Sequence, residues 1–133
     1  TDGPASNNCL DMFREMFLVT GLQKVVCDDP EAVPAMDVLK MAIVTGAHAM
    51  GLSDCDTLQA GKKADLIMID LNQPNMQPLQ NIEKNIVYSG SKQNVKMTMI
   101  GGKVLYRDGN FHLDNTPEEI YRKSNESVRR ILG

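Results

Sequence analysis

The sequence predicts an α+β chain, and three patterns carry that reading. Two stretches in the first fifty residues space their apolar side chains at helical intervals. Strict apolar/polar alternation then appears at Val95, Met97 and Met99, broken by Gly101-Gly102. A capping sequence at Thr116 opens one more helix before the end.

Taken in order, residues 1–8 (TDGPASNN) are rich in Gly, Pro, Ser and Asn and read as a loop. Asn8 is expected to cap the helix that follows, with Asp11 in its first turn, where an acid suits the helix dipole. Leu10, Phe13 and Phe17, with Met12, Met16 and Val19, give that helix a broad apolar face. Cys27-Asp28-Asp29-Pro30 closes it. A second helix begins near Pro34 and carries the stripe Met36, Leu39, Ala42, Ile43, Ala47 and Met50. Gly51 is its expected stop, and the small residues around Gly46 are expected to admit a close neighbour.

Beyond Gly51 the period shortens. Leu58 to Gly61 read as a turn. Ala64 to Leu71 (ADLIMIDL) read as a strand buried on both faces. Residues 72–81 form a polar, proline-bearing connection, and Ile86 to Tyr88 a further short strand. The alternation from Val95 predicts a β-hairpin turning at Gly101-Gly102 and returning through Lys103 to Arg107. Asp108-Gly109 marks a second reversal before Asn110 to Leu113. Thr116-Pro117-Glu118-Glu119 is a capping box with proline in the first turn, and Ile120, Ser124, Val128 and Ile131 share one face of the helix it starts.

Composition narrows the function classes. The 133 residues carry 14 basic and 17 acidic side chains, net −3, with no basic run, so neither nucleic acid nor an anionic membrane is an expected partner. No apolar stretch approaches the roughly 20 residues a bilayer requires, and no signal-like segment is present. Cys9, Cys27 and Cys55 are widely spaced without a C-x-x-C pair, which reads as buried, inert, reduced thiols in a cytoplasmic protein. His48 and His112 each lack a second ligand at helical or strand spacing and read as packed or surface histidines. No nucleophile elbow, phosphate loop or dinucleotide fingerprint occurs.

Four strings in fixed order carry a resemblance. Thr1-Asp2-Gly3-x-x-Ser6-Asn7-Asn8-x-Leu10-Asp11-Met12 comes first, followed by Ala42-x-x-Thr45-Gly46-Ala47-x-Ala49-Met50-Gly51-Leu52. Gly61-Lys62-Lys63-Ala64-Asp65-Leu66 and then Asn85-x-Val87-Tyr88 with Val95 through Val104 complete the set. Together they resemble the C-terminal part of the metal-dependent amidohydrolase superfamily, in its methylthioadenosine/S-adenosylhomocysteine deaminase branch.

The resemblance implies a fold: residues 1–52 as the end of a TIM-like (β/α)8 barrel with its outer helices, 53–113 as part of a composite β-sandwich, and 114–133 as a C-terminal helix. It implies that Asp2 ends the last barrel strand, binds a divalent metal (zinc, or iron) and serves as a catalytic base toward metal-bound water. It implies that Ser6 and Asn7 border a small-molecule nucleoside whose ring amine leaves as ammonia. A barrel takes roughly 250 residues and this family's other ligands are histidines, including an H-x-H pair that the sequence lacks. The ligand set is therefore expected to be incomplete here, the chain to be a piece of a longer polypeptide, and the piece alone to be inactive. Its uncovered apolar faces on the first helix and on Leu66 to Ile69 are expected to drive homo-oligomerisation. Chlorohydrolase or guanine-deaminase chemistry, and a non-catalytic oligomerisation module, are the alternative readings.

Overall fold

The computed structural model describes residues 1–133. Helix α1 spans Met12–Cys27, and its cap is Asp11, not the expected Asn8. Asp11 Oδ1 accepts the Phe13 and Arg14 N–H groups at 3.1 and 3.4 Å. Asn8 lies three residues too early to reach those free donors. The helix ends where Asp28 turns left-handed, at φ 49°.

Helix α2 (Ala35–Lys40) runs on through a π-helical turn, Met41–Thr45, into α3 (Gly46–Ala49), with Pro34 as the cap of the whole rod. The small residue at Gly46 serves this rod and not a neighbouring helix. A Cβ there would lie 3.2 Å from the Met41 carbonyl oxygen of the widened turn and near nothing else. Gly51, at φ 73°, is the stop that the sequence places there.

The four strands are β1 (Leu66–Ile69), β2 (Val95–Ile100), β3 (Lys103–Arg107) and β4 (Asn110–Phe111), antiparallel in the order β1-β2-β3-β4. Leu66 faces Met99, and Met99 faces Val104. The hairpin turns at Gly101 and Gly102, with φ 56° and 79°, the pair of positive angles that fits the twist of two right-handed strands. That turn is tied to the start of β1: the Gly101 N–H donates to Asp65 Oδ1 at 2.6 Å and the Gly102 N–H to the Ala64 carbonyl at 3.0 Å.

Two expectations give way. Ile86 to Tyr88 are not a strand but the last turn of α4 (Ile82–Tyr88), because Asn81 Oδ1 caps the Lys84 N–H at 2.8 Å and starts a helix ahead of them. Strand β1 is not buried on both faces. It is shorter than the apolar run and sits at the sheet edge with β2 as its one neighbour, which leaves Ile67 and Met68 half exposed.

The core lies where α1, α2 and α4 meet one end of the sheet. Phe13, Met16, Ala35, Val38 and Val87 form its buried centre, with Ile69 and Val95 reaching in from the strands. It is thin. The chain exposes 9685 Å², where a folded monomer of 14.7 kDa exposes about 6,900 Å². Much of the excess is apolar: α1 buries Phe13 and Met16 on one side while Leu22, Val25 and Val26 face outward on the other. Helix α5 (Pro117–Leu132) opens on the expected capping box and has no buried residue. No helix is long and apolar enough to cross a membrane.

Candidate functional site

Residues 1–8 form a tight turn, and Asp2 stands in it at φ 55°, in the left-handed region where aspartate is among the few tolerated side chains. Ser6 Oγ donates to Asp2 Oδ2 at 2.7 Å and also lies 3.1 Å from the Gly3 carbonyl. The Ser6 and Asn7 N–H groups both donate to that carbonyl, at 3.1 and 2.9 Å. The hydrogen bond from Ser6, then the one from the Gly3 backbone, lower the Asp2 carboxyl from its ordinary value, so it is ionised and solvent-facing.

Asn7 holds the turn to α1. Its Nδ2 donates to Glu15 Oε1 at 2.7 Å, and its Oδ1 accepts the Cys9 N–H at 3.1 Å. The structure thus brings all three expected residues into one turn at the start of α1. No strand forms at Thr1 to Gly3.

A second polar cluster escaped the sequence. Asp56, buried in the loop after α3, lies 2.7 Å from His48 Nε2 and accepts from the Lys62 ammonium and from Thr57 Oγ1. Lys62 also donates to the Ser53 carbonyl at 3.1 Å. The Lys62 and His48 contacts hold the Asp56 carboxyl at about 2. A carboxylate so saturated with donors is a tether and not a base: it fastens α3 to the loop that leads into β1. His48 and Asp56 are eight residues apart, with no helix or strand spacing to announce the pair.

No three His, Cys, Asp or Glu side chains gather as a metal would need. A catalytic zinc takes about three protein ligands, and around Asp2 this chain provides one carboxylate. The residues present do not by themselves fit a resident metal. The cysteines are free as expected, but none is fully buried: Cys9 and Cys55 are half-buried and Cys27 is exposed. Partial burial, then the charges of Asp65 and Asp54, push the Cys55 thiol up, away from reactivity.

Residues 1–105 match the sequence profile of the amidohydrolase family. The chain belongs to that family. This amidohydrolase chain is 40% identical over 134 aligned residues to the 5-methylthioadenosine/S-adenosylhomocysteine deaminase of Nitratidesulfovibrio vulgaris (strain Hildenborough), covering 98% of itself and 30% of that protein. It is 45% identical over 109 residues to the 5'-deoxyadenosine deaminase of Methanothermobacter thermautotrophicus, covering 82% of itself and 25% of that protein. Its structure is similar to the crystal structure of an adenosine deaminase from Xanthomonas campestris with bound zinc, at a TM-score of 0.89 and 32% identity over 97% of this chain and 29% of that one. An atrazine chlorohydrolase mutant from Arthrobacter aurescens shares the fold at a TM-score of 0.76 and 23% identity, covering 93% of this chain and 28% of that one. The amidohydrolase chain therefore spans about three tenths of the length of the relatives it matches. The α+β reading and the hydrolytic enzyme family both stand.

Proposed function

We propose that residues 1–133 are the C-terminal part of a metal-dependent deaminase acting on an adenosine-type nucleoside such as 5'-methylthioadenosine or S-adenosylhomocysteine. The observation that carries this reading is the match of nearly the whole chain to relatives of that activity. The large native surface agrees with it, since a segment cut from a bigger fold exposes faces its other segments would cover. In this reading residues 1–52 complete one side of a (β/α)8 barrel, 53–113 belong to a β-sandwich, and 114–133 are the closing helix.

Asp2 then contributes one carboxylate to the metal, zinc in first place and iron in second, and the remaining ligands come from segments outside these 133 residues. An ionised carboxylate suits that role, because a metal binds the deprotonated form and no proton need be displaced. Ser6 orients the carboxylate through its 2.7 Å bond, and Ser6 and Asn7 border the nucleoside. The bound metal would supply an activated water; this chain's part is to hold and aim a charge.

The test is substitution at Asp2 in the longer polypeptide that includes the remaining ligands. Removing an outer partner of a metal ligand costs about 10–100-fold in metal affinity or activity, so Asp2→Asn is expected to cost on the order of a hundredfold or more in both. Ser6→Ala is expected to cost about tenfold. An Asp2→Asn enzyme with full metal content and undiminished ammonia release would overturn the assignment.

A further inference from the structure

Within this chain, one side-chain hydrogen bond ties the Asp2 turn to the body of the fold. The hydrogen bonds of residues 1–8 close among residues 1–9, with one exception: Asn7 Nδ2 donates to Glu15 Oε1 at 2.7 Å. Gly3 stands clear of the rest, since a Cβ built there would meet no atom within 4 Å. Asp2 is nonetheless held left-handed at φ 55°, a conformation that persists only where its surroundings enforce it.

Glu15 is placed to enforce it. It stands in the first turn of α1 between Phe13 and Met16, both buried in the core, so its backbone is anchored where the turn's is not. It enters none of the chain's ion pairs. The Asn7 amide is gripped at both ends, because its Oδ1 accepts the Cys9 N–H at 3.1 Å. From Asn7 the restraint passes inward by short steps. The Asn7 N–H donates to the Gly3 carbonyl at 2.9 Å, the Ser6 N–H and Oγ reach the same carbonyl at 3.1 Å, and Ser6 Oγ donates to Asp2 Oδ2 at 2.7 Å. A glutamate in a first turn also suits the helix dipole, which accounts for its charge but not for its bond to Asn7.

We propose that Glu15 is a positioning residue for the Asp2 carboxylate, acting through Asn7 and Ser6, an inference that rests on the reading of Asp2 as a metal ligand. Glu15 touches neither metal nor nucleoside. It fastens the turn to a rigid helix, so the ligand is already aimed when the metal arrives.

The test is zinc affinity, measured by chelator competition without nucleoside, in the longer polypeptide that includes the remaining ligands. Circular dichroism confirms that each variant is folded. Glu15→Ala is expected to weaken zinc binding about tenfold, the lower end for an outer partner of a ligand. Glu15→Gln keeps an acceptor oxygen at the same reach and is expected to restore most of that loss. Asn7→Ala breaks the same bond from the turn side, and so serves even where Glu15→Ala does not fold. The double variant is expected to bind zinc no more weakly than either single one. Undiminished affinity in Glu15→Ala or Asn7→Ala, beside a clear loss in Asp2→Asn, would overturn the clamp and leave the metal-ligand reading standing. Full affinity in Asp2→Asn would remove that reading and the clamp with it. Equal losses in Glu15→Gln and Glu15→Ala would make Glu15 a dipole partner only, and losses that simply add in the double variant would separate it from Asn7; either result overturns the proposal.

Discussion

Asn94 and Asn75 exchange side-chain amides: Asn75 Nδ2 donates to Asn94 Oδ1 at 2.9 Å, and Asn94 Nδ2 donates to Asn75 Oδ1 at 3.2 Å. The pair joins two chain segments nineteen residues apart. Asn94 Oδ1 also accepts the Ser91 N–H at 2.9 Å, and Asn75 Nδ2 reaches the Ser89 carbonyl at 2.7 Å. The backbone continues the knot, with the Asp70 N–H donating to the Asn94 carbonyl at 2.7 Å. The end of β1, the connection to α4 and the start of β2 all close on these two amides.

Asn94→Ala should therefore be costly. Asn94 is buried, and its loss strands several partners at once, where an unsatisfied buried polar group costs about 1–3 kcal/mol. Chemical denaturation is expected to show a destabilisation of about 2–3 kcal/mol. A cost below half a kilocalorie would mean that water replaces the amide freely.

Two glycines are expected to respond with opposite signs. At Gly90 an added Cβ would sit 2.4 Å from the Ile86 carbonyl oxygen and 3.0 Å from Phe13 Cδ1, so the end of α4 must shift against the core. Gly90→Ala is expected to destabilise by about 1–3 kcal/mol. Gly21 lies inside α1 with open space around it, and Gly21→Ala is expected to stabilise by about 0.5–1 kcal/mol. Thermal melts of the two variants suffice to check the pair.

The acid limb should carry an Asp56 signature. Its carboxyl titrates at about 2 in the fold and at about 3.9 in an unfolded chain. The unfolded state thus takes up its proton first, so the tether's stabilisation is whole above about pH 4 and drains away as pH falls toward 2. Asp56→Asn is expected to lower stability at neutral pH and to flatten its decline on that limb. Parallel slopes for the two proteins between pH 5 and 2 would contradict this.

Incubated with zinc and 5'-methylthioadenosine, the 133-residue chain is expected to release no ammonia above background, because no three ligands converge in it. Equilibrium dialysis should likewise find no tight zinc site. Turnover by the chain alone would require a ligand set other than the one drawn around Asp2.

Local chemistry made much of this fold legible. Thr116-Pro117-Glu118-Glu119 and Gly101-Gly102 each satisfy their own backbone within a few residues, so each formed as read. The reading failed where two local signals competed. Ile86, Val87 and Tyr88 are good strand residues, but a cap at Asn81 five residues earlier claimed them for a helix. Asn8 and Asp11 are both good caps, and the nearer one won. At the candidate site, Asp2 and Ser6 were singled out by the resemblance of the string around them and not by spacing, and their direct contact is what the fold adds. His48 with Asp56, and Asn75 with Asn94, were not, since tertiary folding alone brings them together.

The generous native surface has a calorimetric corollary. Heat capacity and denaturant sensitivity both scale with the area that unfolding newly hydrates, and a chain already showing 9685 Å² has less left to reveal. Its m-value and unfolding heat capacity should fall about a fifth short of those for a closed domain of equal mass. Melting is then gradual, and assembly with whatever shields those faces should sharpen it.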